Sequence, residues 1–200
     1  MLVIGLTGPS GAGKGMVSEI FASYGLPILD ADAIYRELLI PPSECLNALV
    51  KQFGTQILTP EHTLDRRALA SIVFSSESEL SHLNRIAHFY VMKEIRNRLR
   101  ALREANTRAV ILDAPQLFEA HAERECNIVV SVIADPDVRL ERIMRRDGID
   151  MTAAQARMQS QYSDVFFRSH SDYTIENNQS PEQLRPTVHK ILSEMGVLQK

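Results

Sequence analysis

Two hundred residues, 44% of them hydrophobic, suffice for one well-buried core with room for a small inserted subdomain, and fall short of two comfortable independent domains. Lys and Arg number 22 against 25 Asp and Glu, a formal net charge of −3, so nothing draws the chain as a whole to nucleic acid or to an anionic membrane. Cys45 and Cys126 have no metal-ligand or redox spacing, and the apolar run at 2–6 is too short for a signal core or a membrane span. The expected location is the cytoplasm, with the mature chain beginning at or near Met1.

Val3, Ile4 and Leu6 predict a strand, and the glycine-rich turn after them gives way to a helix through Met16, Val17, Ile20 and Phe21. Gly25 and Pro27 stop that helix; Ile28 and Leu29 begin a second short strand that runs into Asp30 and Asp32. Residues 33–106 are poor in strand signals. Helices are predicted there, one ended by Pro41-Pro42, one ended by Gly54, one opened by Asp65 and a long one over 78–105, where Leu80, Leu83, Ile86, Tyr90, Ile95, Leu99 and Leu102 keep near-helical spacing. Such a block fits an insertion over one end of a sheet. Strands resume at 109–112 and 127–133, both with Val and Ile at successive positions, as strands of a buried parallel sheet should be. A basic helix over 137–146 follows Pro136, another follows Thr152, and 173–175 predicts a last strand. Ser180, with Pro181 behind it and Gln183 three positions on, marks the cap of a final helix that stops near Gly196.

Gly8-Pro9-Ser10-Gly11-Ala12-Gly13-Lys14 fills the first seven positions of the phosphate-loop pattern, between a strand and a helix as the motif requires. The glycines let successive amides turn toward one anion, Ala12 keeps bulk out of the cradle, and the helix N-terminus adds partial positive charge. Lys14 can then reach the outer phosphates. A bare glycine turn joining a strand to a helix would not need the lysine. Gly15 and Met16 stand where a metal-binding hydroxyl normally follows, so Mg²⁺ is expected to be held mainly by the phosphates.

Asp30 and Asp32 follow the second strand at the carboxyl edge, where open α/β sheets bind ligands. Phosphoryl transfer needs a group that orients or deprotonates the acceptor and carboxylates for the hydrated metal. Asp32 is read as the base and Asp30 as metal or water support; the structural alternative makes Asp32 the cap of a helix starting at Ala33. Asp113, after the third strand, suits metal-bound water or else a turn before Pro115. Arg139, Arg142, Arg145 and Arg146 crowd one predicted helix, with Arg139, Arg142 and Arg146 on one face. That face suits a lid over transferring phosphate, or a solvated surface relieved by Glu141 and Asp147.

With these residues in view the sequence resembles the bacterial dephospho-CoA kinases, through IGLTGPSGAGKG at the start, DAD at 30–32, LDRRALASIVF at 64–74, LNRIAH at 83–88, LDAPQLFE at 112–119, RRDG at 145–148 and TIENN at 174–178. The resemblance implies a three-layer α/β P-loop fold on a parallel sheet. Its single domain over 1–200 would hold a core of 1–32, 107–136 and 170–200, a helical CoA-side insertion at 33–106 and a lid at 137–169. It implies ATP and Mg²⁺, the ribose 3′-hydroxyl of dephospho-CoA as acceptor, and neither nucleic acid nor membrane as partner, the protein being a monomer or weak homo-oligomer. Position by position, Lys14, Asp32 and Arg142 fall on catalytic places. Gly8, Gly11, Ala12, Gly13, Gly15, Met16, Arg146 and Asn177 fall on the ATP side, Asn177 near the base, and Arg66 and His88 on the acceptor side.

Phe89 stands where the family usually has proline, Gln116 replaces a leucine and Phe167 replaces a basic residue. Two alternatives remain open at the level of sequence: another small-molecule P-loop kinase, acting on a nucleoside or nucleotide, and a catalytically weakened nucleotide-binding relative. The lack of an Asn-Lys-x-Asp segment argues against a guanine-specific switch.

Overall fold

The computed structural model describes residues 1–178 and 181–198, so Ser180 lies outside the described residues. The chain packs as two compact units, residues 1–29 with 102–200, and residues 30–101.

The first unit is built on a sheet ordered β2-β3-β1-β4-β5, with β1 at Leu2–Thr7, β2 at Ile28–Asp30, β3 at Ala109–Asp113, β4 at Ile128–Ile133 and β5 at Tyr173–Glu176. Parallel pairing sets Leu6 opposite Asp113 on one side and Val130 on the other, and Ile133 opposite Glu176. The carboxyl ends of β1, β3 and β4 therefore share one edge, which is where an open parallel sheet presents its ligand loops. Side chains alternate across a strand, so Ile4, Leu6, Ile111, Val130, Val132 and Ile175 point to one face. There they pack under Val17, Ile20 and Phe21 of α1 (Lys14–Ser23) and Leu184, Val188, Ile191 and Leu192 of α9 (Pro181–Glu194). On the other face Gly5 lets neighbours come close: a Cβ there would lie 2.8 Å from Cys126 Sγ and 3.1 Å from Leu117. The sheet is thus buried on both faces, the arrangement that its unbroken runs of Val and Ile predict.

Between β4 and β5 run α6 (Pro136–Asp147), α7 (Met151–Gln159) and α8 (Asp164–Ser169). The second begins before Thr152, because Asp150 caps it, accepting from the Ala153 amide at 2.8 Å. The third, capped by Ser163, is too short to print a periodic pattern on the sequence.

The second unit holds α2 (Ala31–Leu38), α3 (Glu44–Phe53), α4 (Arg66–Val73) and most of α5 (Glu77–Glu104). Leu39, Cys45, Leu49, Phe53, Ile57, Leu69 and Val73 form its own core, with Leu83, Ile86 and Tyr90 of α5 packed against it. Local chemistry sets the boundaries: Ser43 accepts from Leu46 N at 3.1 Å, and Asp65 from Arg67 N at 2.9 Å and Ala68 N at 3.0 Å. Gly54, with φ +85°, ends α3. Sequence reasoning did not foresee the isolated antiparallel bridge between Leu58 and Leu64.

These two kinds of contact differ in size. Phe21→Ala is expected to cost about 3–5 kcal/mol, since it opens a cavity under the sheet, whereas Asp65→Ala should cost roughly 1 kcal/mol by freeing two amides to water. Urea unfolding of both variants checks the contrast, and equal losses would contradict it.

Candidate active site

The turn between Thr7 and Lys14 is held from the protein side through its carbonyl groups. Pro9 O accepts from Ala12 N at 3.1 Å, and Ser10 O from Arg139 Nε at 3.0 Å. Gly11 O accepts from Arg142 Nη1 at 3.3 Å, Ala12 O from Asn177 Nδ2 at 2.8 Å, and Gly13 O from Met16 N at 3.1 Å. A trans peptide points its N–H away from its C=O, so tying the carbonyls of Ser10, Ala12 and Gly13 turns the amides of Gly11, Gly13 and Lys14 the other way. That is an anion nest, completed by the N-terminus of α1. Ala12 is fully buried in the sheet core, so its methyl group serves packing and stays out of the cradle. Gly8 has φ +148°, and a Cβ there would strike Val132 O at 2.1 Å, which leaves glycine as the residue that fits.

Lys14 Nζ pairs with Asp113 Oδ1, both side chains largely buried. Gly15 is exposed, and a Cβ there would meet nothing within 4 Å. Met16 is half-buried and packs against the sheet core.

The arginines of α6 divide. Arg139 is buried at 5% exposure and bridges Ser10 O to Asp164 Oδ1 at 3.0 Å. Burial works against its charge, and the Asp164 carboxylate supports it. Arg142 also donates to Asn177 O at 3.0 Å. Arg146 is exposed; it reaches Ser10 Oγ at 3.1 Å and Asp147 at 2.8 Å, and its hydrogen bond to Asp147 raises its pKa and lowers that of the carboxylate. Ser10 N donates to Gln161 Oε1 at 2.9 Å, so the segment after α7 also grips the loop. Neither Gln161 nor the Arg139–Asp164 pair was foreseen. Glutamine carries no motif signal, and the pair joins residues 25 positions apart on two helices.

The remaining candidates lie in the second unit. Asp30 Oδ1 accepts from Ala33 N at 2.9 Å, so Asp30 is the cap of α2 and Asp32 sits exposed in its first turn. The alternative that made Asp32 the cap is corrected accordingly: the helix starts two residues earlier than expected. Arg66 opens α4 and lines a cleft of about 170 Å³ with Arg36, Leu39, Ile40 and Leu64. Asp32 and His88 are not part of that lining. A larger cleft of about 320 Å³ carries Glu37, Glu44, Glu94 and Lys93. Its basic neighbours are already engaged, Lys93 with Glu44 at 2.8 Å and Arg98 with both Glu37 and Glu94. The smaller cleft carries two guanidinium groups, of which Arg36 lies 3.9 Å from Asp30 Oδ2.

Among the residues that depart from the family pattern, Phe89 is exposed, edge-on to Tyr90 at 5.1 Å, and Gln116 is exposed. Phe167 is 3% exposed, in a cluster with Phe118, Tyr162 and Phe166. Neither cysteine suits nucleophilic chemistry: burial pushes the Cys45 thiol up to about 11 and the Cys126 thiol up to about 12. Because Arg139 joins the loop to α8, Arg139→Ala is expected to lower stability by roughly 1–3 kcal/mol, since it leaves Asp164 and Ser10 O without their partner. It should also weaken ATP binding; urea unfolding with a parallel ATP titration measures both, and unchanged values would remove the bridge from the site.

The family model described as dephospho-CoA kinase matches residues 2–183. A dephospho-CoA kinase of Syntrophotalea carbinolica is 38% identical over 195 residues, covering 98% of this chain and 92% of its own length. A crystal structure from Thermus thermophilus superposes with a TM-score of 0.80 at 30% identity, covering 97% of each chain. The dephospho-CoA kinase of Campylobacter jejuni superposes with a TM-score of 0.73 at 26% identity, covering 96% of each. An α/β fold with a buried parallel sheet, a phosphate loop opening its first helix and similarity along nearly the full length agree: this chain belongs to the dephospho-CoA kinase family.

Proposed function

We propose that this chain transfers the terminal phosphoryl group of ATP to the ribose 3′-hydroxyl of dephospho-CoA, giving CoA and ADP, the last step of coenzyme A synthesis. The observation that carries the reading is the set of carbonyls held on the protein side of the turn, with Lys14 behind it, in a chain of this family. Gly8, Gly11, Ala12, Gly13, Lys14, Gly15 and Met16 form the loop that receives the polyphosphate, with the amides of Gly11, Gly13 and Lys14 as donors. Lys14 draws charge from the outer phosphate as the bond to the leaving oxygen lengthens. Arg142 and Arg146 stand beside the loop to stabilise that charge, within a lid at 137–169, and Asn177 completes the ATP side. Asp32, just ahead of the helical segment 33–106, takes the proton of the attacking hydroxyl, while Arg66 and His88 within that segment hold the acceptor.

The residues present fit a hydrated magnesium ion carried by ATP rather than one caged by the protein. Among the described residues no group of three or more His, Cys, Asp or Glu is arranged to hold a metal, and position 15 has no hydroxyl. Asp113 and Asp30 would support the ion only indirectly, through water, the second oxygen of Asp30 already lying 3.9 Å from Arg36 Nη2. Bound with ATP, magnesium neutralises charge on the phosphate oxygens. No helix among the described residues is long and apolar enough to cross a membrane. The reading makes the protein a cytoplasmic monomer or weak homo-oligomer acting on small molecules.

A coupled ADP assay with ATP and Mg²⁺ should give turnover with dephospho-CoA and little with AMP or without acceptor. Faster phosphorylation of AMP would move the chain to the nucleotide kinases, and ATP binding without any turnover would make it a weakened relative. Asp32→Asn is expected to lower kcat by roughly 10²-fold or more while ATP affinity stays within about threefold. An unchanged kcat would take the base role from Asp32. Because the space around Gly15 is open, Gly15→Ser should fold normally and lower the Mg²⁺ concentration for half-maximal ADP binding several-fold, roughly the effect of restoring one ligand. A variant with the same Mg²⁺ dependence as the parent would show that the missing hydroxyl is immaterial.

A further inference from the structure

We infer that Asn177 is a positioning residue for the phosphate loop: it acts through Ala12 on the direction of the Gly13 amide, and not by contact with the nucleotide base. The inference deepens the proposed function and rests on it, since it presumes that the loop binds polyphosphate.

Asn177 is fully buried at the end of β5, anchored by its own amide on Ile133 O at 2.8 Å. Its Nδ2 donates to Ala12 O at 2.8 Å, and its own carbonyl accepts from Arg142 Nη1 at 3.0 Å. The orientation of the side-chain amide follows from chemistry: with oxygen and nitrogen exchanged, two acceptors would face each other at that distance. Its Oδ1 is buried without a hydrogen-bond partner among the described residues. An orphaned acceptor is costly in a protein interior, and an aliphatic side chain of similar size would fill the space without it. What asparagine alone supplies here is the N–H on Ala12 O. Since the peptide between Ala12 and Gly13 is planar and trans, fixing that carbonyl fixes the Gly13 N–H on the opposite side, toward the cradle.

The contact is built from both sides. Gly13 has φ +87°, and a Cβ on it would sit 2.1 Å from Asn177 Nδ2. Glycine is therefore needed at position 13 for the backbone angle and for the close approach of this amide. Arg142 ties the same stretch again, reaching Gly11 O at 3.3 Å and Ala12 O at 3.5 Å from one nitrogen. The end of β5, α6 and the loop thus share one knot of hydrogen bonds in which Asn177 contributes a donor and an acceptor.

Two ligands separate the loop from the base. ATP and inorganic tripolyphosphate are titrated calorimetrically, each with Mg²⁺, into the parent protein, Asn177→Ala and the milder Asn177→Ser, with melting temperature and circular dichroism recorded for each. The expected result is a loss of roughly tenfold for both ligands in Asn177→Ala, the effect of one hydrogen bond to an anion-binding peptide. Asn177→Ser, which can reach Ala12 only through water, should fall between, and KM for dephospho-CoA should not move in either variant. If ATP weakens while tripolyphosphate does not, Asn177 serves the base and the inference fails. It also fails if only the melting temperature drops with both affinities intact, or if the variants match the parent throughout. Should Asn177→Ala not fold, the serine variant decides by the same comparison. A parent protein that binds neither ligand would instead strike the proposed function itself.

Discussion

A planar peptide unit cannot aim its carbonyl and its amide independently, and the phosphate loop of this protein is organised by that constraint. An amide that must face a polyphosphate needs its carbonyl partner satisfied on the other side. The side chains that satisfy them come from two places far from the loop in sequence: Arg139 and Arg142 on α6, and Asn177 after β5. Parallel pairing brings those places together. With Thr7 opposite Ser131 and Ile133 opposite Glu176, the segments leaving β1, β4 and β5 emerge side by side, and α6 begins where they meet. The sheet order is therefore a condition of the anion nest as well as a packing solution.

The basic helix takes on a different character in this light. A run of four arginines within eight residues suggests mobile cations waiting for phosphate, yet Arg139 is locked between a loop carbonyl and Asp164, and Arg142 spends one nitrogen on three carbonyls. Arg146, exposed and paired to a neighbour through a surface contact, is the member of the trio cheapest to redirect. A charge that only neutralised phosphate would need no such fixed geometry. Here the guanidinium is used for its fork of donors as much as for its charge.

Much of this was legible in the chain. The loop signature, the strand runs and the helix stops at Pro41-Pro42 and Gly54 depend on local chemistry, and local chemistry is what a sequence displays. The register of Asp30 was missed because Asp30 and Asp32 are both plausible caps two residues apart; only the hydrogen bond to Ala33 decides between them. Gln161 and the pairing of Arg139 with Asp164 were invisible for another reason. Each acts across a tertiary contact, and neither residue type signals its partner. The burial of Phe167 among aromatic rings is likewise a property of the packed cluster: alone, a phenylalanine in place of a basic residue reads as a lost charge.

The nest is formed by the amides of Gly11, Gly13 and Lys14 and by the side chains that tie the loop carbonyls, and none of these passes through the side chain of position 15 or 16. Met16 contributes its amide to Gly13 O and its side chain to the core, both compatible with an ordinary helix start. What the two substitutions remove is a hydroxyl beside the phosphates, and that affects the metal rather than the polyphosphate. The carbonyl ties of the loop are made without either side chain, so on the proposed reading any consequence of these substitutions falls on magnesium rather than on the anion cradle.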